Sequence, residues 1–151
     1  MKSLRFGTAV LAALAFCYTG SAMAANCSGH WTNVNQSTES IDLGDGHTLV
    51  VFSATGSVTS DNSPYNAIGM CGGYFLTTPA GETFVRYACT RKDANGDSYS
   101  DHGGMDPGDE RGHWMQTGGT GVFAGKNNSG TWIGVLSDGG VDSGTFEGNC
   151  E

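Results

Sequence analysis

Three prolines, seven basic residues and no long apolar run beyond residue 24 set the first limits on this 151-residue chain. A stretch of about 20 apolar residues is needed for a helix to cross a bilayer, and none follows the N-terminal segment. Alanine and leucine are scarce after residue 25, which argues against a helical bundle. There is no C-x-x-C, so a structural zinc site is not expected. No G-x-S-x-G occurs, which removes the hydrolase elbow. Gly118-Gly119-Thr120-Gly121 lacks a following Lys-Ser or Lys-Thr and is not a phosphate loop. No cofactor motif is present.

Residues 1–24 read as a signal peptide. Lys2 and Arg5 start it, Phe6 to Phe16 is its apolar centre, and Ala22-Met23-Ala24 is a small-x-small cleavage site. The bulky Phe16 before Cys17 argues against a lipid-anchored reading. The expected mature chain is residues 25–151, one domain, exported to a bacterial periplasm or the extracellular space. Without Lys2 and Arg5, five basic and fifteen acidic residues remain, a net charge of −10. Nucleic acids and anionic membranes attract basic surfaces, so neither is an expected partner.

Glycine is abundant, 25 of 151 residues, and scattered among β-branched and aromatic residues with no G-X-Y period. That excludes collagen and suits a sheet protein with many turns and close approaches. Cys27, Cys71, Cys89 and Cys150 survive cleavage. An even number in an oxidising compartment implies two disulfides, with three connectivities open.

The stretch Cys71–Cys89 narrows that choice. Strand formers run from Gly72 to Thr77, Thr78-Pro79-Ala80-Gly81 supplies a turn, and strand formers return from Thr83 to Ala88. Symmetry about Ala80 places Cys71 opposite Cys89, Gly73 opposite Tyr87, Phe75 opposite Val85 and Leu76 opposite Phe84. This favours Cys71–Cys89, with Cys27–Cys150 tying the ends together. Both faces of the hairpin carry apolar residues, so the inward face stays open.

Elsewhere Asn26–Gln36 is a short strand or an irregular lead-in, and Ser37–Leu43 alternates as a strand. His47–Val58 is a strand, with Thr48, Val50, Phe52, Ala54 and Val58 on one face. The strand from Cys89 is expected to fade through Thr90 and Arg91. Asn95-Gly96 suits a type I′ hairpin turn. Gly103–Arg111 reads as an exposed loop. In Gly112–Thr117, Trp114 and Gln116 point one way and His113, Met115 and Thr117 the other. Within Gly118–Gly125 the pair Val122-Phe123 can plug an open end of a core. Thr131–Leu136 and Val141–Phe146 are strands, with a turn at Asp138-Gly139-Gly140. The expectation is all-β: about eight antiparallel strands in a closed barrel with two disulfides.

The segment GGTGVFAG at Gly118–Gly125, between two strands, and the Asn95-Gly96-Asp97 hairpin before it resemble the small β-barrels of the allene oxide cyclase and dirigent superfamily. The resemblance covers roughly residues 47–146 and is one of fold. It implies a calycin-like antiparallel barrel with an internal apolar cavity. Members differ in whether they catalyse a reaction. The cyclases act on a fatty-acid epoxide, and dirigent proteins steer radical coupling of phenols. No functional residue of either carries over onto this chain one by one.

Candidate site residues come from two places. Arg86 lies opposite Tyr74 on the hairpin, and the pair can bind a carboxylate or phenol if that face lines a cavity. His102 and His113 flank the acidic loop holding Asp106, Asp109 and Glu110, and can meet if their segments are neighbouring strands. Asp93, Asn95 and Asp97 begin like a calcium loop, but Ser98 stands where its glycine belongs and Gly104 where its glutamate belongs, which favours a plain hairpin. Three functions remain: a barrel that binds a small apolar ligand or a protein, the favoured one; a cyclase or isomerase with a shifted acid or base inside, such as a histidine, Glu39 or Glu82; and a structural or adhesive protein. Self-association is open under each.

Overall fold

The computed structural model describes residues 25–135 and 140–151. Residues 1–24, expected from the sequence to be a signal peptide, Leu136 and the turn at Asp138-Gly139 lie outside the described residues. The strands are β1 (Ala25–Gly44), β2 (His47–Ser60), β3 (Asn66–Thr77), β4 (Thr83–Asp93), β5 (Ser98–Met105), β6 (Gly112–Gly119), β7 (Ser129–Val135) and β8 (Val141–Cys150). Each pairs antiparallel with the next, and β1 pairs with β8 from Ala25↔Cys150 to Val34↔Val141, closing an eight-stranded barrel. Closure leaves no free edge over that span. Among the described residues no helix is long and apolar enough to cross a membrane.

The hairpin of β3 and β4 has the register expected from sequence, with Cys71↔Cys89, Gly73↔Tyr87, Phe75↔Val85 and Leu76↔Phe84. Both disulfides form as expected, Cys71–Cys89 and Cys27–Cys150. Three expectations need correction. Residues 25–44 make one strand, not a short strand or lead-in followed by a second strand; Gln36 bulges out between Asn35↔Ala54 and Ser37↔Ser53, and the ladder resumes. β4 does not fade at Arg91 but runs to Asp93, with Arg91 paired to Gly69 and Tyr99. Gly103-Gly104-Met105 belong to β5, not to the loop. Gly103 faces the barrel interior under the ring of Tyr87, where a Cβ has no room.

The turn chemistry also differs from expectation. Asn95 has no positive φ; only Gly96 does, at 90°. Gly96 N–H donates to Asp93 O, and Asp93 N–H to Asp97 O, which is a three-residue loop closed by a left-handed glycine. The Asp93 carboxylate favours it by accepting from the N–H groups of Asn95 and Asp97, both at 2.9 Å. The two-residue type I′ turn instead lies at Asp45-Gly46, where φ is 52° and 78° and Gly44 pairs with His47.

One end of the barrel is plugged as GGTGVFAG suggests. Residues Gly121–Phe123 form a 3₁₀ turn that drives Phe123, fully buried, between Tyr65 at 5.1 Å and Tyr99 at 4.8 Å between ring centres. Val122 stays outside. Gln116, on the inward face of β6, holds the plug. Its Oε1 accepts from Tyr65 OH and from Asn128 Nδ2, both at 2.8 Å, and its Nε2 donates to the carbonyls of Gly118 and Phe123. Every polar atom of this buried amide is thus satisfied. Gln116→Leu leaves Tyr65 and Asn128 without their acceptor. It is expected to cost about 2–4 kcal/mol, read as a lower urea midpoint at unchanged m-value.

Candidate functional site

Side chains alternate along each strand, so register alone sorts them into wall and interior. The interior set includes Trp31 and Asn33 on β1, Phe52 and Val58 on β2, Phe75 on β3, Val85, Tyr87 and Arg91 on β4, Asp101 on β5, Trp114 on β6, Trp132 on β7, and Asp142 and Phe146 on β8. Between them lies a cavity of about 100 Å³, reaching from Tyr65 and Tyr99 at the plug toward Phe75, Val85 and Trp132 near the other rim. All three tryptophans of the chain line it. The rings meet edge to face: Trp31 and Trp132 at 5.8 Å and 84°, Tyr87 and Trp132 at 6.1 Å and 67°. Such pairs add about 0.5–1.5 kcal/mol beyond area burial. Phe52 and Phe75 add a tilted pair at 5.2 Å. Glycines opposite the rings make the room: Gly112 lies under Trp132, and a Cβ there would collide with the indole.

Against this aromatic wall stands a small polar group. Asn33, Gly56, Gly69 and Arg91 form one row across β1, β2, β3 and β4, through the pairs Asn33↔Gly56, Gly56↔Gly69 and Gly69↔Arg91. The two glycines leave a trough along which the Arg91 side chain extends. A Cβ on Gly56 would come within 2.7 Å of Arg91 Nη1 and 2.5 Å of Asn33 Oδ1. Arg91 is 4% exposed, and its Nε donates to Asp101 Oδ1 at 3.0 Å. Its Nη2 donates to Cys89 Sγ at 3.1 Å. Its Nη1 is buried and meets no acceptor among the described residues. Trp31 Nε1 is likewise a buried donor without an acceptor. Burial pushes the Asp101 carboxyl up from its ordinary value, against the opposing pull of Arg91. Burial also raises the phenols of Tyr87 and Tyr99, and brings Tyr65 to about 12, with Glu151 adding to the last. These three tyrosines are neutral donors at physiological pH.

No family model matches the chain, and no curated protein shows significant sequence similarity to it.

The four residues singled out in the sequence come together, but on the outer wall. Tyr74↔Arg86, Arg86↔Gly104 and Gly104↔His113 make one outward row, and His102 sits in the next, opposite Ala88 and Met115. None of the four lines the cavity. Arg86 crosses over Gly104, donates to the carbonyls of Val85 and Met105, and pairs with Asp106 at 2.5 Å. His102 and His113 are both exposed, on adjacent strands and two residues out of register. Among the described residues, no group of three or more His, Cys, Asp or Glu is placed to hold a metal ion. Glu39 and Glu82 are exposed and outside the cavity too. Arg86→Ala and His102→Ala are therefore expected to leave any cavity binding unchanged within about twofold, as read by calorimetry.

Sequence reasoning missed Arg91, Asp101, Asn33 and Asp142. Arg91 shares a face with Cys89, Tyr87 and Val85, so extending the hairpin by two residues on the cysteine face would have found it.

Proposed function

We propose that this protein is an exported barrel that takes a small, mainly apolar ligand into its interior. The observation that carries the reading is the aromatic cavity: nine aromatic side chains and few polar groups around one void. Sites of this make-up, a largely apolar wall with a few converging polar groups, are the usual form of small-molecule pockets. Two disulfides support an oxidising compartment. The reading also fits the internal apolar cavity that the resemblance to allene oxide cyclase and dirigent barrels implies.

A second reading rests on Asp101. A carboxyl that burial raises above its ordinary value, lining a cavity and paired with Arg91, can exchange a proton with a bound ligand, as an isomerase requires.

The test uses the three tryptophans, since each lines the cavity. Toluene is titrated into the protein and indole emission is followed. A saturable change in intensity and wavelength is expected. A response that grows linearly without saturating, as in free tryptophan, would remove the cavity as a binding site.

A further inference from the structure

We propose that the outer wall of the barrel carries a second site, independent of the cavity, in which His102, His113 and Met115 hold a soft monovalent cation, Cu(I). The placement comes from the ladder between β5 and β6. His102 pairs directly with Met115, and Gly104 with His113, with no shift of register between the two pairs. Trp114 lines the cavity, so its neighbours His113 and Met115 point outward, on the same face as His102. Met115 is 49% exposed and both histidines are exposed, so none of the three is taken up by the core.

The spacing suits a chelate. Residues directly opposite hold their Cβ atoms about 4.5–5.5 Å apart, and diagonal ones about 7–8 Å. Two steps along one strand are about 6.6 Å. Side chains as long as histidine and methionine close gaps of this order around one ion with bonds of about 2.0–2.3 Å to nitrogen and sulfur. The strand partners around the triangle are small: Ala88 opposite His102, Ser129 opposite Met115, and Gly104 and Thr131 on either side of His113.

Donor type and charge select the ion. Among the described residues no group of three His, Cys, Asp or Glu forms, so the third ligand here is the thioether. Thioethers are soft donors that favour Cu(I), whereas imidazole alone serves many metals. Two guanidiniums stand beside His113. Arg86 lies across Gly104, its partner on β5, and Arg111 donates to Thr131, its partner on β7. Their ion pairs with Asp106 and Glu147 offset part of that field. Repulsion scales with the charge of the ion, so the remainder costs a divalent metal about twice what it costs a monovalent one.

Calorimetry on residues 25–151 tests the site. All four cysteines of that chain are in disulfides, so no thiol competes. Cu(I), kept soluble with acetonitrile and reduced with ascorbate, is titrated under nitrogen, and Zn(II) in parallel. One saturable Cu(I) site per chain is expected, with Zn(II) bound more weakly. Met115→Leu and His102→Ala are each expected to weaken Cu(I) binding by more than about tenfold, since loss of even an outer-shell partner of a metal ligand costs about 10–100-fold. The toluene response of the cavity should be unchanged in both variants. Copper X-ray absorption on the unaltered protein should show one sulfur beside two nitrogens, a readout that needs no variant to fold. Cu(I) heats that do not saturate would overturn the site. Undiminished Cu(I) binding in Met115→Leu, or a metal with no sulfur neighbour, would overturn the thioether ligand. Zn(II) bound as tightly as Cu(I) would overturn the choice of a soft monovalent ion.

Discussion

Arg91→Met lowers stability by about 3–5 kcal/mol at neutral pH, and most of the loss is recovered in mild acid. The side chains of Arg91 and Asp101 are 5% and 11% exposed, so removing the cation strands a carboxylate in the interior. The pH dependence follows from where the proton goes. Burial already holds the folded Asp101 above the unfolded value of about 3.9, and without Arg91 it rises further. The folded variant then binds a proton at a pH where the unfolded chain does not. Its stability relative to wild type climbs as pH falls through that raised value, and levels off near the unfolded one. Urea denaturation at several pH values between 7 and 4 reads this directly. A deficit that stays constant across the range would mean that Asp101 is not the stranded charge. Replacing both partners, Arg91→Met with Asp101→Leu, removes the pH dependence and restores much of the stability, since an apolar pair often substitutes for a buried ion pair.

The second large effect is in the Cys27–Cys150 bridge. Serine at both positions is expected to cost about 4–5 kcal/mol, against about 3 for the Cys71–Cys89 pair. The difference lies in the loops. The first bridge spans 123 residues and constrains almost the whole unfolded chain, whereas the second spans 18. In the folded state both sit between hydrogen-bonded neighbours, β1 with β8 and β3 with β4, so the strand ladders hold the geometry when either bridge is absent. Paired denaturation curves give both numbers. A larger loss from the 71–89 pair would place the stabilisation in native packing of the cavity wall, where Cys71 lies, and not in the unfolded chain.

These two effects involve residues of opposite legibility. The cysteine pairing can be read because one hairpin fixes it: Pro79 and Gly81 locate the turn, and cross-strand partners agree on one register. Barrel closure is legible through the count of short strands. The inward face is not, because Tyr74, Leu76 and Phe84 on the outside look as apolar as Phe75, Val85 and Tyr87 on the inside. Arg86 and Tyr74 are natural candidates for that reason, and Arg91 reads as a strand end. Its environment is assembled by four strands, from residues 33, 56, 69 and 91, and two of those contribute only the absence of a side chain. Glycine in a strand reads locally as a weak point. Only the complete register shows that Gly56 and Gly69 line up to make room for an arginine. In the same way Gly103-Gly104 resembles a loop until Tyr87 and Arg86 are seen lying across them.

The most direct measurement is a high-resolution crystal structure of residues 25–151 grown with toluene. The expected result is ring density between Trp31, Trp132 and Phe75, which line the cavity. Density confined to the outer wall near Arg86 and His102, with cavity side chains closed over the void, would contradict an interior binding site and turn attention to the barrel's outside.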